Sequence, residues 1–326
     1  MNAAIPRPRM SSLTDLQPPA DGLLEDVLSG LSRSPKRIPS KYFYDHRGSE
    51  LFEAITRQPE YYLTRVEQAL LDARMPAIAD AVGTGAHVVE YGSGSGRKTR
   101  QLLRGLRAPV AYTPVEISPT ALEATTTGLM STFPFIEMLP VCADFTRSVP
   151  LPRAKRPARR TLVFFPGSTL GNFTHDEAVD ILTGMRHILG QDGRALIGID
   201  LQKDPALIEA AYNDAAGVTA EFTLNLLVRL NRELGCDFDL AGFRHCARYV
   251  REQGRIETFL VSLRAQEVHV AGRAFRFGQD EAMRVEYSHK YSRGGFAALA
   301  AAAGLAVAEE WNDPKDWFGL RLLRPV

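Results

Sequence analysis

The sequence predicts an α/β fold in which a parallel sheet is joined by a second, α+β domain, formed by the N-terminal helices and an insertion after the fifth strand. Three observations predict it. Five short apolar runs alternate with helical stretches between residues 87 and 201, a glycine-rich turn follows the first run, and the alternation stops after Leu201 and resumes near residue 292. The length of 326 residues agrees, giving about two domains at roughly 150 residues each, enough to bury a core without disulfides or structural metals.

Taken in order, residues 1–20 are rich in proline and polar groups and are expected not to order. Leu23, Leu24, Val27, Leu28 and Leu31 recur at helical spacing, as do Leu51, Phe52 and Ile55, so the chain to about residue 66 reads as helical. A further helix over about 67–82 leads to Gly83. The five strands read as 87–91, 110–117, 138–145, 161–165 and 195–201. In the insertion, 205–234 carries apolar residues at helical spacing, and strand-like runs follow at 255–263, 267–270, 274–277 and 283–291. A helix over 296–303 and two strands, 305–311 and 318–323, close the chain; the turn Asn312-Asp313-Pro314 makes those strands an antiparallel hairpin at one sheet edge.

Charge and cysteine content exclude several functions. Lys+Arg number 39 and Asp+Glu 38, so the net charge of +1 supplies no field for sequence-independent binding of DNA or RNA. Segment 147–160 holds six basic residues and no acid, yet Pro150, Pro152 and Pro157 mark it as a solvated loop. Cys142, Cys236 and Cys246 are odd in number and far apart, which suits reduced thiols and neither a disulfide framework nor a metal pair. No apolar export segment accompanies Arg7 and Arg9, and the most apolar stretch, 296–308, is interrupted by Gly304 and falls short of the roughly 18 to 20 residues of a membrane helix. A soluble, cytoplasmic protein with neither nucleic-acid nor membrane partner is expected.

The glycine-rich turn reads Val88-Val89-Glu90-Tyr91-Gly92-Ser93-Gly94-Ser95-Gly96, ending an apolar strand and opening a helix. Glycine there lets a ligand approach the backbone at the carboxyl end of the first strand. Two phosphate-binding readings weaken: a G-x-G-x-x-G fingerprint from Gly92 meets Arg97 where glycine is required, and the glycine spacing before Lys98-Thr99 is wrong for a P-loop. The second strand ends near Glu116, an acceptor for two ribose hydroxyls, and the third at Asp144-Phe145, an acceptor for an adenine amino group beside a ring that packs on the base. An adenosine pocket without a phosphate clamp points to S-adenosylmethionine.

With those residues the chain resembles the class I (Rossmann-like) methyltransferases, and more narrowly the histidine-specific Nα-methyltransferases of ergothioneine biosynthesis. The similarity spans about residues 35–326 and includes Lys41-Tyr42-Phe43-Tyr44-Asp45, Pro59-Glu60-Tyr61-Tyr62, Gly167-Ser168-Thr169-Leu170-Gly171-Asn172, the run from Ala211 to Gly217, and Glu286-Tyr287-Ser288. The resemblance implies S-adenosylmethionine against Gly92, Lys98, Glu116, Asp144 and Phe145, with no metal. It implies a histidine whose α-carboxylate and α-amino group are held by Asn172 and Tyr212, with Tyr44 and Tyr61 walling the site near the amine and Glu286 and Ser288 reading the imidazole. Tyr44 and Asn172 are the expected catalytic residues. Residues 21–66 with 202–291 would form the substrate-binding domain, and 67–201 with 292–326 the cofactor domain. The product of three transfers in such an enzyme is the trimethylated betaine, hercynine.

Glu286 and Ser288 also have an argument of their own. Residues two apart in a strand share a face, and neutral imidazole offers one donor and one acceptor, which a carboxylate and a hydroxyl complement. Three positions depart from the family's pattern: Glu116 replaces Asp, Leu63 replaces a proline, and Thr258 stands where a methionine lines the pocket in some members. Thr258 motivates an alternative, another aromatic amino acid or small amine as acceptor. A nucleic-acid methyltransferase would want an Asp/Asn-Pro-Pro-aromatic motif after the fourth strand, where Phe165-Pro166-Gly167 stands instead.

Overall fold

The computed structural model describes residues 13–16, 22–94 and 96–326. Strand β1 (Thr14–Asp15) precedes helix α1 (Gly22–Leu31), a 3-10 turn at Ser40–Phe43, α2 (His46–Ile55) and α3 (Tyr62–Val82). The alternating part runs β2 (Ala86–Tyr91), α4 (Arg97–Gly105), β3 (Ala111–Glu116), α5 (Pro119–Thr132), β4 (Glu137–Met138), β5 (Val141–Cys142), β6 (Arg160–Phe165), a 3-10 turn (Thr169–Asn172), α6 (His175–Leu189) and β7 (Arg194–Asp200). The insertion holds α7 (Pro205–Ala210), α8 (Val218–Leu234), β8 (Phe243–Val250), β9 (Arg255–Ser262), β10 (Gln266–Val270), β11 (Arg273–Phe277) and β12 (Ala282–His289). Helix α9 (Arg293–Ala302), β13 (Leu305–Asn312) and β14 (Phe318–Pro325) complete it.

Among the described residues one sheet has the order β1-β5-β3-β2-β6-β7-β14-β13, with β4 beside β3. Every pairing from β1 to β7 is parallel, and β14 runs antiparallel to β7 and β13, so the terminal hairpin closes one edge as the turn residues predict. The chain leaves β2 for β3 on one side while β6 lies on the other. That reversal opens a crevice at the carboxyl ends of the strands, where α/β sheets bind ligands.

Both sheet faces are buried, as βαβ connections require. Val89, Val163 and Ile197 face Leu182 of α6 and Phe296 of α9, while their neighbours Val88, Leu162 and Leu196 face Leu71 and Ile78 of α3 and Leu102 of α4. A third apolar cluster joins Phe43, Leu51 and Ile55 to Phe222, Leu226, Leu260 and Met283, so the N-terminal helices and the insertion share a core although about 150 residues separate them. Local signals fix the helix starts: Asp45 and Ser118 cap α2 and α5, Pro119 occupies the first turn of α5, and Thr174 with Glu177 forms a capping box on α6. No helix among the described residues is long and apolar enough to cross a membrane.

Four expectations need correction. Of the segment expected not to order, residues 1–12 and 17–20 lie outside the described residues, but Thr14–Asp15 pairs in parallel with Val141–Cys142. The third strand is not continuous over 138–145: Pro140 has no N–H for the ladder and splits it into β4 and β5, leaving Asp144 and Phe145 in the turn beyond. Helix α3 starts at Tyr62 and not at 67, because its buried face begins with Tyr62 and Leu63. Strand β8 was not expected; it pairs with β9 in a three-stranded antiparallel sheet, and only Phe243 and Ala247 of its eight residues are buried, which leaves little alternation to read. Residues 147–159 form neither helix nor strand.

Candidate active site

All eleven residues singled out above line one cleft of about 1100 Å³ at the carboxyl ends of β2, β3 and β6, between the sheet and the apolar cluster of the insertion. That volume is at the upper end for small-molecule pockets and accommodates two ligands together.

On the sheet side, Gly92 turns the chain out of β2 with φ +73°, a conformation that a side chain would strain. Beneath the loop the buried Glu90 accepts hydrogen bonds from Thr99 Oγ1 (2.7 Å) and Tyr112 Oη (2.6 Å), tying the first turn of α4 to β2 and β3; burial pushes its carboxyl up to about 7. Glu116 accepts from the N–H groups of Ile117 (3.0 Å) and Ser118 (3.4 Å), and burial raises its pKa above the ordinary value. Asp144 takes the Thr146 N–H and hydroxyl on Oδ1, with Lys41 Nζ 3.8 Å from Oδ2. Phe145 stacks on Tyr91 with ring centroids 5.3 Å apart. Lys98 donates to Glu67 Oε2 at 2.5 Å, and the same carboxylate receives the Gly167 N–H, so Lys98 is locked beneath the loop after β6.

These groups fit S-adenosylmethionine. The buried Ser93 hydroxyl in the glycine loop has no protein partner, which marks a place where a polar ligand belongs. Glu116 and Asp144 are acceptors at the ends of adjacent strands, as ribose hydroxyls and an adenine amino group require. Among the described residues no group of three or more His, Cys, Asp or Glu could hold a metal.

Across the cleft the walls are aromatic. Tyr44 packs edge-on to Phe52 and Phe222, each at 5.7 Å, and Tyr61 lies edge-on to Phe52 (6.2 Å) and Tyr212 (6.4 Å). Burial raises the pKa of all three tyrosines, so each stays a neutral hydroxyl at working pH and none acts as a resident anion. Asn172 ends the 3-10 turn after β6. Its neighbour Gly171 lies against β12 so closely that a Cβ there would stand 2.8 Å from His289 O. Glycine thus brings Asn172 beside the strand that carries Glu286 and Ser288.

Ser288 is buried, with its Oγ 2.6 Å from Tyr212 Oη. Glu286 sits after a bulge in β12 and accepts a hydrogen bond from Thr258 Oγ1 of the paired strand β9 at 3.1 Å. Thr258 itself is buried and is not among the cleft's lining residues. It orients a carboxylate; it does not leave a gap where a methionine would be. Burial pushes Glu286 up to about 7, with the Thr258 hydrogen bond and the Lys290 charge opposing the rise.

A family model described as histidine-specific methyltransferase, SAM-dependent, matches residues 23–325. The chain belongs to this family. Its relatives include a histidine N-alpha-methyltransferase of Mycobacterium tuberculosis, 40% identical over 92% of this chain and 94% of the relative. A second, from Mycolicibacterium smegmatis, is 40% identical over 93% of this chain and 95% of its own length. An ergothioneine biosynthesis protein 1 of Neurospora crassa is 31% identical over 89% of this chain, which spans 33% of that longer protein. As a member of the histidine-specific methyltransferase family, the chain is an S-adenosylmethionine-dependent methyltransferase.

Several polar residues in or behind this methyltransferase's cleft are not foreseen by the sequence reading. Glu67 lies on the buried face of α3, where a lone acid amid Leu63, Leu70 and Leu71 was the available signal. Asp200 closes the apolar run of β7, and Lys290 continues the two-residue spacing from Glu286 through Ser288. Thr219 lines the cleft with an unpartnered buried hydroxyl on α8.

The raised pKa of Glu286 gives a pH prediction. If Glu286 reads the imidazole, then above about 7 it does so as a carboxylate, a strong acceptor for an imidazole N–H, whereas below it carries a proton and accepts only weakly through its carbonyl oxygen. Histidine kcat/KM is therefore expected to fall as pH drops through about 7 by more than substrate protonation explains. Profiles of wild type and Glu286→Gln isolate the difference, since the substrate's own titrations are common to both. Parallel profiles would contradict the assignment.

Proposed function

We propose that the protein transfers methyl groups from S-adenosylmethionine to the α-amino nitrogen of L-histidine, three in succession, giving hercynine for ergothioneine biosynthesis. The observation that carries this reading is the facing arrangement of two sites in one cleft. An adenosine-binding loop with Glu116 and Asp144 lies opposite an aromatic wall that ends in Glu286 and the Tyr212–Ser288 hydroxyl pair. Names of the mycobacterial relatives support the same substrate and the same nitrogen. Thr258 favours histidine over another aromatic acceptor, because its hydroxyl holds Glu286 in place.

S-adenosylmethionine, when bound, supplies the electrophilic methyl. The chain's residues hold the nucleophile. Asn172 and Tyr212 would hold the α-carboxylate and the α-amino group, fixing the amine in line, and such positioning is the main catalytic task in a direct displacement. A free α-amino group has a pKa near 8, so water or a weak acceptor takes its proton around neutral pH. Tyr44, a neutral hydroxyl, would orient the lone pair. The rings of Tyr44 and Tyr61 tolerate a nitrogen that becomes a permanent cation, through cation–π attraction that needs no N–H. The three free cysteines suit a reducing compartment, and we place the reaction in the cytoplasm.

The test is histidine-dependent turnover. Release of S-adenosylhomocysteine should require histidine; equal release without it, or none with it, would contradict the reading.

A further inference from the structure

Behind the cleft lies a buried charged cluster with no part in the reading above. Asp200, at the end of β7, and Lys290, one residue past β12, are both fully buried, with Nζ 2.9 Å from Oδ2. Asp200 also receives Lys203 Nζ on Oδ1 at 2.7 Å and the Tyr62 hydroxyl on Oδ2 at 2.8 Å. Removing Lys290 therefore still leaves this carboxylate with a cation and a hydroxyl donor.

Lys290 reaches forward as well as back. It donates to Tyr212 Oη and to Ser288 Oγ, each at 2.9 Å, and those two oxygens are 2.6 Å apart. An ammonium has three N–H donors and no acceptor. Two of them go to Tyr212 and Ser288, Asp200 balances the charge, and Lys290, fully buried and not among the cleft's lining residues, does not reach a ligand. Both hydroxyl oxygens face it as acceptors, and their mutual contact consumes one of the two hydroxyl hydrogens. One hydrogen remains for the cleft, which both residues line.

We propose that Lys290, anchored by Asp200, is a positioning residue for the amino-acid substrate: it fixes the Tyr212–Ser288 pair so that a single hydroxyl hydrogen is offered to a substrate acceptor. The inference rests on the reading that this pair holds histidine. Without the ammonium, either hydroxyl can turn its hydrogen inward toward the vacated space, and the pair no longer presents a fixed donor. Lys290 acts through the two hydroxyls and touches neither the methyl nor the amine.

The experiment compares wild type, Lys290→Met, Ser288→Ala and the double variant by histidine kinetics, S-adenosylmethionine calorimetry and thermal melting. Lys290→Met should raise histidine KM about 10- to 100-fold, the range for losing a hydrogen bond to a charged group. Cofactor Kd should stay within about twofold, because the lesion is confined to the amino-acid side. In the double variant the two effects should be far from multiplicative, since Lys290 works through Ser288. Unchanged KM, or fully multiplied effects, would overturn the proposal. If Lys290→Met does not fold, Lys290→Gln, which keeps two N–H donors, carries the same comparison and should show a smaller rise of the same kind. Wild-type turnover separates the two levels: no histidine methylation removes the histidine reading and this inference together, while normal turnover with an unmoved KM in the variant removes only the inference.

Discussion

Phenylalanine is expected to be methylated with a kcat/KM roughly 10⁴-fold below that of histidine. The two amino acids present the same α-amine and α-carboxylate, so Asn172, Tyr212 and Tyr44 do not tell them apart. The difference lies at the ring. A phenyl group entering the imidazole position would cover the Glu286 carboxylate and the Ser288 hydroxyl while offering neither a donor nor an acceptor. Glu286 already feels its burial, with a pKa pushed up to about 7, and sealing it further beneath an apolar ring would leave it charged and unpaired or oblige it to take a proton. Sites built to hydrogen-bond a polar substrate reject an isostere that lacks those groups far more strongly than apolar pockets reject a missing methylene. Competition between the two substrates, with products separated by mass, gives the ratio directly. A ratio within about tenfold would show that the ring is not read by hydrogen bonds.

Replacing Glu286 by alanine should raise histidine KM roughly 100-fold and leave S-adenosylmethionine affinity as it was. The Glu286 carboxylate is the acceptor proposed for the imidazole N–H, and its loss would leave that N–H buried without a partner. The cofactor groups Glu116 and Asp144 stand at the ends of β3 and β5, on the opposite wall, and none of their hydrogen bonds involves Glu286. Calorimetry of the variant therefore controls for misfolding. The product of the variant at saturating histidine should still be methylated on the α-nitrogen, because the amine is held by other residues. An unmoved KM would place imidazole recognition elsewhere.

Much of this is legible in the amino-acid sequence. The parallel sheet follows from apolar runs of strand length separated by helical stretches, and the glycine loop marks the one turn where backbone must approach a ligand. Residues at strand ends, Glu116 and Asp144, were readable because β-strand polarity sends carboxyl termini to a common edge. The insertion was harder. Strand β8 carries Arg244, His245 and Arg248 on a sheet with one buried face, so its pattern is diluted, and the local sign of its pairing with β9 is Gly254, which ends the four-residue turn between them with φ +59°. Contacts between distant segments were harder still: Lys98 with Glu67, Thr258 with Glu286, and Lys290 with Asp200 each join residues whose types are ordinary and whose meeting depends on how helices and sheets dock. Thr258 shows the cost. As a letter it suggests a changed pocket, whereas in space its hydroxyl supports the carboxylate that the pocket uses.

The most direct measurement is the mass and site of methylation of histidine incubated with the protein and S-adenosylmethionine. The account predicts one, two and finally three added methyl groups, all on the α-nitrogen, with the trimethylated form accumulating at completion. Methyl groups on the imidazole ring, or histidine recovered unchanged beside a cofactor that demonstrably binds, would contradict it.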